Sequence, residues 1–349
     1  MCAVRIALGA VLGAAVAAGC ARGAPESART ADPTLEAPRL PTGVRLDPAG
    51  TLHDAGSMPL ALSLSPAGDR IVVLLNGWGT QGVQVLDRAS GRVLQTLAQP
   101  AAFLGLAFAP DGKSLWSSGG NGDVVHRYAW ANGAARPEGR VALVDSAVLA
   151  KRTARTPGTR YPSGLAFAPD GRTLYVAENL ADSLAVIDVG SMRVTQRLAT
   201  GRYPYAVVAG ADGRVYVSNW GANSVSTFEP ARDGSLRSTG PIVVGRHPSA
   251  LLLSRDGARL FAASGSTDRV AVVDTRARRV VTELLDPPPA GPREGSTPNA
   301  LALSHDGARL FVAEADANAI AVFKLSAVTS GVPGARGGDR LAGRIPTGW

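Results

Sequence analysis

Cysteine is almost absent from this chain of 349 residues. The two cysteines are Cys2 and Cys20, so none lies in the long part of the chain that follows. A disulfide framework, a cysteine-ligated metal site and a cysteine nucleophile each need thiols inside a folded domain. All three are therefore excluded for the main body of this protein.

Histidine is also scarce. The four histidines are scattered, and none has a second histidine or a carboxylate at a metal-ligand spacing such as HExxH: His53, His126, His247 and His305. No GxSxG nucleophile elbow accompanies them. We interpret them as solvated turn residues. The sequence thus predicts no catalytic residue, no metal and no cofactor.

Two short patterns resemble ligand-binding loops but lack the surroundings that such loops need. The glycine pattern GWGTQG at 77–82 is followed by the apolar run VQVLD, whereas a dinucleotide site needs a helix N-terminus there. The acidic pattern EADAN at 314–318 lacks the glycine and the final glutamate of a calcium loop. Both are interpreted as turns between strands.

A six-fold repeat is what the sequence does contain. Each copy has an apolar run and then a tight turn that ends in glycine: SPAG at 65–68, APDG at 109–112, APDG at 168–171, GADG at 210–213, SRDG at 254–257 and SHDG at 304–307. The turn glycines lie 44, 59, 42, 44 and 50 residues apart. Periods of this length are typical of four-stranded propeller blades.

The third copy shows why these runs should be strands. After the turn, TLYVAE at 173–178, SLAVID at 183–188 and RVTQRL at 193–198 are short runs separated by polar gaps. The first two are apolar throughout, as expected for strands between neighbouring sheets, and the last alternates, as expected at a rim. One blade cannot bury both of its faces, so several must pack around an axis.

The predicted fold is therefore an all-β propeller of four-stranded antiparallel blades. Six complete blades are expected at 59–98, 103–143, 163–199, 204–244, 248–286 and 298–346. Residues 43–55 are interpreted as outer strands of a seventh blade, which makes the domain at 41–349 C-terminally incomplete. We expect the six blades to close on themselves, with the N-terminal strand completing the outer edge of blade six; an open ring and a gap filled by another chain are the alternatives.

The N-terminus resembles an export signal. Residues 1–19 have an early positive charge at Arg5 and then an alanine-rich apolar stretch too short for a lasting membrane anchor. The sequence Ala17-Ala18-Gly19-Cys20 resembles the bacterial lipoprotein box, which implies a lipid on Cys20. Residues 20–40 are predicted to be a flexible tether, and the protein to be periplasmic or at the cell surface, held to the membrane by its lipid.

The repeat itself resembles a known family. Tyr216-Val217-Ser218-Asn219 is close to the signature of the YVTN-repeat propellers, and YVA at 175–177, FAA at 261–263 and FVA at 311–313 occupy the same place in their copies. From about residue 41 onward, the chain is similar to the YncE-like propeller that precedes a metal-dependent phosphoesterase of the alkaline phosphatase superfamily in bifunctional proteins. The resemblance implies a propeller; a catalytic domain of that kind would follow this chain.

Charge gives one further candidate site. The formal charge is +8, or +7 after loss of Arg5, and the insertion at 145–162 carries four basic residues: Lys151, Arg152, Arg155 and Arg160. These side chains could bind the phosphates of a polyanion or a membrane surface. Aromatic residues that could stack on bases are few, with Tyr161, Tyr203, Tyr205 and Trp220 the best placed.

Three functions are compatible with these features. The first is an exported binding or scaffolding module for an unknown protein or polymer ligand, without catalytic residues of its own. The second is the propeller part of a two-part phosphoesterase, and the third is a binder of single-stranded nucleic acid or another polyanion.

Overall fold

The structure is a computed structural model that describes residues 47–151, 156–288, 295–326 and 338–348. All of them lie in one compact unit, which spans 39–349. They form six four-stranded antiparallel sheets arranged as a six-bladed β-propeller, which confirms the predicted fold class. No helix in these ranges is long and apolar enough to cross a membrane.

The strands of the first three blades follow the chain in order. Blade one contains β1 (Pro59–Leu64), β2 (Arg70–Leu75), β3 (Gly82–Asp87) and β4 (Val93–Ala98). Blade two contains β5 (Leu106–Phe108), β6 (Ser114–Ser118), β7 (Val124–Ala131) and β8 (Ala134–Ala142). Blade three contains β9 (Pro162–Phe167), β10 (Thr173–Glu178), β11 (Ser183–Asp188) and β12 (Arg193–Ala199).

The last three blades repeat this order. Blade four contains β13 (Pro204–Ala209), β14 (Val215–Asn219), β15 (Ser224–Pro230) and β16 (Leu236–Val243). Blade five contains β17 (Pro248–Leu253), β18 (Arg259–Ser264), β19 (Arg269–Asp274) and β20 (Arg279–Leu285). Blade six contains β21 (Pro298–Leu303), β22 (Arg309–Glu314), β23 (Ala319–Lys324) and β24 (Arg340–Pro346). One short helix, α1 (Ser146–Ala150), and two 3₁₀ turns, Gly120–Gly122 and Asn179–Ala181, lie between strands.

Local chemistry explains the regularity of the blades. The glycine that ends each predicted turn has a φ between 68° and 80°, a left-handed conformation that glycine adopts without steric cost. In every blade the register shifts by a bulge between the third and fourth strands, which increases the twist at the outer edge. The fourth strand of blade three alternates between exposed and half-buried residues, as the rim position predicts.

The core consists of apolar layers between consecutive blades. Separate clusters join blades one and two, two and three, three and four, four and five, and five and six. The first strands of blades three to six lie side by side, because each contacts the first strand of the next blade. No comparably close strand contact joins blade six to blade one among the described residues.

The segment before blade one differs from the expectation of outer strands at 43–55. Residues 47–57, which we call the strap, contain no strand, and 43–46 lie outside the described residues. The Ala49 N–H donates to Pro346 O at 3.0 Å, and the Gly56 N–H donates to Gln84 Oε1 at 3.1 Å. The strap therefore connects the outer strand of blade six with blade one. Blade six takes its own fourth strand, β24, from the C-terminal side, so no N-terminal strand from residue 47 onward completes it.

Candidate ligand-binding face

The antiparallel order of each blade creates two different rims. Turns between the first and second strands, and between the third and fourth, lie at one rim. Turns between the second and third strands lie at the opposite rim, together with the linkers that enter the next blade. We call this second rim the linker face, because successive blades are joined there.

An unusual backbone conformation recurs on the linker face. In five of the six blades the residue before the proline that starts the first strand has a left-handed φ of 50° to 54°: Met58, Tyr161, Tyr203, His247 and Thr297. Non-glycine residues adopt this region uncommonly, and the cost must be offset by contacts around the turn. The linker backbone is thereby held in one conformation, which fixes the positions from which its side chains extend.

Buried aspartates provide part of that support. Asp123 accepts hydrogen bonds from the backbone N–H groups of Thr159, Arg160 and Tyr161, at 2.8–2.9 Å. Burial raises the pKa of Asp123, but these hydrogen bonds, together with that from the Thr159 hydroxyl, outweigh it and hold the pKa below its usual value. The side chain thus fixes the linker from blade two into blade three as an ionised carboxylate.

The same device recurs in two other blades. Asp268, which is buried, accepts the N–H groups of Gly295, Ser296 and Thr297, and Asp182, which is exposed, accepts the Tyr203 N–H through Oδ1 at 2.8 Å. Blade six has an amide at the equivalent turn position, Asn318 (φ 45°). Its side-chain nitrogen has no hydrogen-bond partner among the described residues.

Aromatic side chains from three blades meet near the axis. Phe103 packs edge-to-face against Tyr161, with ring centroids 5.1 Å apart, and against Tyr205 at 5.8 Å. Burial raises the pKa of both tyrosine hydroxyls. This cluster presents an amphipathic surface, with apolar rings and neutral hydroxyls.

A second aromatic group lies on the linkers of blades four and five. The rings of Trp220 and His247 are stacked, with centroids 4.4 Å apart and planes 24° from parallel. Tyr203 is joined to Trp220 through the backbone, because the Trp220 N–H donates to Tyr203 O at 2.9 Å. Its ring packs over Gly221, where a Cβ atom would come within 2.4 Å of it. We call Tyr203, Trp220 and His247 the aromatic ledge. Trp220 is 41% exposed, so the ledge is open to solvent.

Two arginines flank the aromatic ledge. Arg202 and Arg246 occupy the same position in the two linkers, which read GRYP and GRHP, and both are exposed. The Arg202 guanidinium lies 5.2 Å from the centre of the Tyr203 ring. Among the described residues, neither arginine forms an ion pair.

Below the linker face, buried glutamates pair with arginines from the fourth strands. Glu178 ends β10, is completely buried, and accepts Arg197 Nε at 3.0 Å. Glu314 holds the same position in blade six and accepts Arg344 Nε at 2.7 Å. Both pairs fix an outer strand to the centre of its own blade, and a buried carboxylate needs such a partner.

Blade six adds a second carboxylate to its pair. Arg344 Nη2 lies 3.3 Å from Asp286 Oδ1, and Asp286 Oδ2 is buried without a partner. Burial, and then the neighbouring Glu314, raise the pKa of Asp286 to about 8. Asp286 therefore keeps its proton near neutral pH, because one guanidinium cannot balance two buried carboxylates.

Two of the four predicted polyanion-binding residues, Lys151 and Arg160, lie in the described part of the chain. Lys151 is exposed at the end of α1. Arg160 lies 3.5 Å from Glu178 and has its N–H bonded to Asp123, so it has a structural role. Arg152 and Arg155 lie outside the described residues, as does the predicted lipidation site Cys20.

The histidines and the two loop patterns were predicted with mixed success. His126 is not a turn residue: it lies in β7, where burial and then Arg140 lower its pKa to about 4.

The glycine pattern at 77–82 lies between β2 and β3, with Trp78 fully exposed, and the pattern at 314–318 lies between β22 and β23. Among the residues that the structure describes, no group of histidine, cysteine or acidic side chains could hold a metal ion.

Sequence reasoning named most of the ring residues but missed the two arginines. Tyr203 and Trp220 belong to the aromatic ledge, and Tyr161 and Tyr205 to the central cluster. Arg202 and Arg246 were overlooked, although the repeated pattern Gly-x-x-Pro at 201–204 and 245–248 marks the linkers that carry them. That pattern was the signal that could have identified them.

Comparison with known proteins supports the fold. No protein-family model and no curated protein matches the chain. Among solved structures, a protein from Lactobacillus plantarum is 17% identical, with coverage of 85% of this chain and 87% of its own and a TM-score of 0.67. Hydrazine synthase from Kuenenia stuttgartiensis is 18% identical (86% and 89% coverage, TM-score 0.65), as is a 6-phosphogluconolactonase candidate from Bacteroides uniformis (88% and 90%, TM-score 0.63). At such identities the similarity establishes the propeller fold alone.

Proposed function

We propose that this protein is an exported, lipid-anchored propeller of the YVTN-repeat type that binds a ligand through its linker face. The observation that carries the proposal is the gathering of aromatic side chains on that face. Rings from the linkers of blades two to five lie there, and Trp78 and Trp220 are open to solvent. Exposed rings held on a rigid backbone are typical of binding surfaces, since little side-chain entropy is lost when a ligand docks.

The YVTN assignment is supported by the place of the signature in the fold. Tyr216-Val217-Ser218-Asn219 lies in β14, the second strand of its blade, and the related sequences at 175–177, 261–263 and 311–313 lie in β10, β18 and β22. The signature thus marks the strand that is buried between neighbouring blades.

The export proposal rests on residues 1–20 of the sequence. We expect mass spectrometry of the membrane fraction to find a diacylated Cys20 at the mature N-terminus, and Cys20→Ala to release the protein. Cys2→Ala is the matched control, because that thiol is removed with the signal. A wild-type protein that is fully soluble and starts at another residue would contradict the lipoprotein assignment.

The binding proposal can be tested without knowing the ligand in advance. Fluorescently labelled oligonucleotides, acidic and neutral polysaccharides and peptides are titrated with the purified protein at low salt. We expect at least one class to bind, and a variant with both Trp78→Ala and Trp220→Ala to bind it more weakly. If no class binds, or if binding survives in that variant while Arg276→Gln on the opposite rim weakens it, the linker face is not the binding surface.

A further inference from the structure

The aromatic ledge has the properties of a stacking platform. Two of its rings come from successive linkers, and Trp220 comes from the turn between β14 and β15. The left-handed backbone at Tyr203 and His247 fixes where their rings lie. His247 is held further by Ser266, whose hydroxyl lies 2.5 Å from Nδ1. Trp220 is stacked on His247 on one side while two fifths of its surface stays accessible. An exposed, immobilised ring of this kind can stack on the flat face of another aromatic ring.

The charges around the aromatic ledge specify more than a flat ligand. Arg202 and Arg246 each precede a ring of the ledge, both are exposed, and neither is paired with a carboxylate among the described residues. The neighbouring carboxylate, Asp182, accepts the Tyr203 N–H from the backbone. A guanidinium donates hydrogen bonds and accepts none, so these arginines suit an anionic group such as phosphate.

We propose that the aromatic ledge binds nucleotides: a planar base stacks beside Trp220, and Arg202 and Arg246 bind the phosphate. This inference rests on the proposed function of the linker face and gives that face a ligand class. A free nucleotide and a single strand share this chemistry. The site differs from the insertion at 145–162, where Arg160 is already engaged by Glu178.

The hydrogen-bonding groups around the ledge favour nucleotides over acidic sugars. A sugar offers many hydroxyl groups that both donate and accept hydrogen bonds, so its sites need acceptors beside the rings. Beside Asp182, whose Oδ1 already accepts the Tyr203 N–H, the charged groups at the ledge are two guanidinium groups, which only donate. Stacking also tolerates any base, because every base has a flat face. We therefore expect little sequence preference.

The test uses fluorescence anisotropy with a labelled short oligothymidylate at low salt, and thymidine monophosphate and polygalacturonate as competitors. We expect the wild-type protein to bind the oligonucleotide and Trp220→Ala to weaken it about tenfold, as expected when one base loses its stacking partner. The double variant Arg202→Gln/Arg246→Gln should weaken binding and reduce the slope of log affinity against log salt by about 0.7 for each phosphate that is no longer neutralised. Competition by the monophosphate indicates a mononucleotide site, and its absence a single-strand site.

Matched controls separate the ledge from general effects of charge and exposure. Val281→Ala removes an exposed apolar side chain from the outer strand β20, and Arg193→Gln/Arg276→Gln removes two exposed charges from the opposite rim. Both should bind like wild type, and thermal melts should show all variants folded. Equal losses in ledge and control variants, or no oligonucleotide binding by the wild type, overturn the proposal. If polygalacturonate binds instead and Trp220→Ala weakens it, the nucleotide inference fails while the proposed function stands.

Discussion

Blades five and six have nearly the same sequence pattern in their second strands, RLFAAS and RLFVAE, yet they are buried differently. In blade five both faces of β18 are buried, including Phe261 on the side of blade six. In blade six Leu310 and Val312 are buried on the side of blade five, whereas Phe311 and Ala313 on the far side are only half-buried. The difference comes from the neighbours, because a blade face is buried only where another sheet packs on it.

Blade one is also less buried on one of its faces, the face that points away from blade two. Its first strand leaves Leu62 and Leu64 74% and 50% exposed. Val73, Leu75 and Leu86 form a small cluster made of blade-one residues alone. Part of this face is covered by the strap, since Gly56 lies close against the Leu75 side chain. On this face the strap takes the place of a neighbouring sheet, and it contributes few apolar side chains.

The largest effect is expected when the same substitution is made at the matching position of blades five and six. Phe261→Ala should reduce the free energy of unfolding by about 3–5 kcal/mol, because it leaves a cavity between two sheets. Phe311→Ala, at the same position in the next blade, should cost less, about 2 kcal/mol, because its ring is only partly buried. Denaturant unfolding of both variants provides the measurement. Equal losses would show that blade six is buried on both sides in solution.

The turn between the second and third strands gives a second matched pair. Asp123→Gly should cost about 3 kcal/mol, because several backbone N–H groups of the linker lose a charged acceptor. Asn318→Gly should be neutral or slightly stabilising, since the Asn318 amide nitrogen has no partner. Both positions have a left-handed φ, so glycine relieves the same strain in each. Thermal unfolding of the two variants measures the difference; a large loss from Asn318→Gly would reveal a contact that the structure lacks.

A smaller effect, which depends on pH, is expected from Asp286, the second carboxylate beside the Glu314–Arg344 pair of blade six. The pKa of Asp286 is raised on folding to about 8, so the unfolded chain binds fewer protons between about pH 4 and pH 8. Its contribution to stability therefore falls as pH rises through that window. Asp286→Asn keeps the shape but cannot ionise, and should raise the Tm at pH 8 more than at pH 5.

The control for that experiment has the opposite sign. The pKa of Asp123 is lowered on folding, so its contribution is present above the unfolded pKa and is lost as pH falls through the folded pKa. Asp123→Asn should therefore lose stability at neutral pH and differ less from wild type in acid. A Tm of Asp286→Asn that follows wild type at both pH values would show that Asp286 is ionised in the folded protein.

The sequence predicted the blades well because their signals are local. A turn glycine, two apolar runs and an alternating fourth run lie within about 40 residues of one another and need no distant partner to be recognised. Tyr203 and Trp220 of the ledge were predicted for the same reason, since aromatic residues between apolar runs are visible in the sequence, whereas His247 was interpreted only as a solvated turn residue. Outer strands at 43–55 were predicted wrongly for the described residues, because a strand needs a partner with free hydrogen-bonding groups and the pattern alone does not supply one.

By itself, then, the sequence determined the number of complete blades, their bounds and the conformation of the turn glycines, because these follow from short-range sterics and from hydrophobic period. Only the tertiary structure decided which ionisable groups are available to bind a ligand. Arg160 is engaged by a buried glutamate of blade three, whereas Arg202 and Arg246 form no ion pair among the described residues and lie beside stacked rings. Burial and pairing depend on which blade edges meet in space, and residues far apart in the chain meet there without any periodic mark in the sequence.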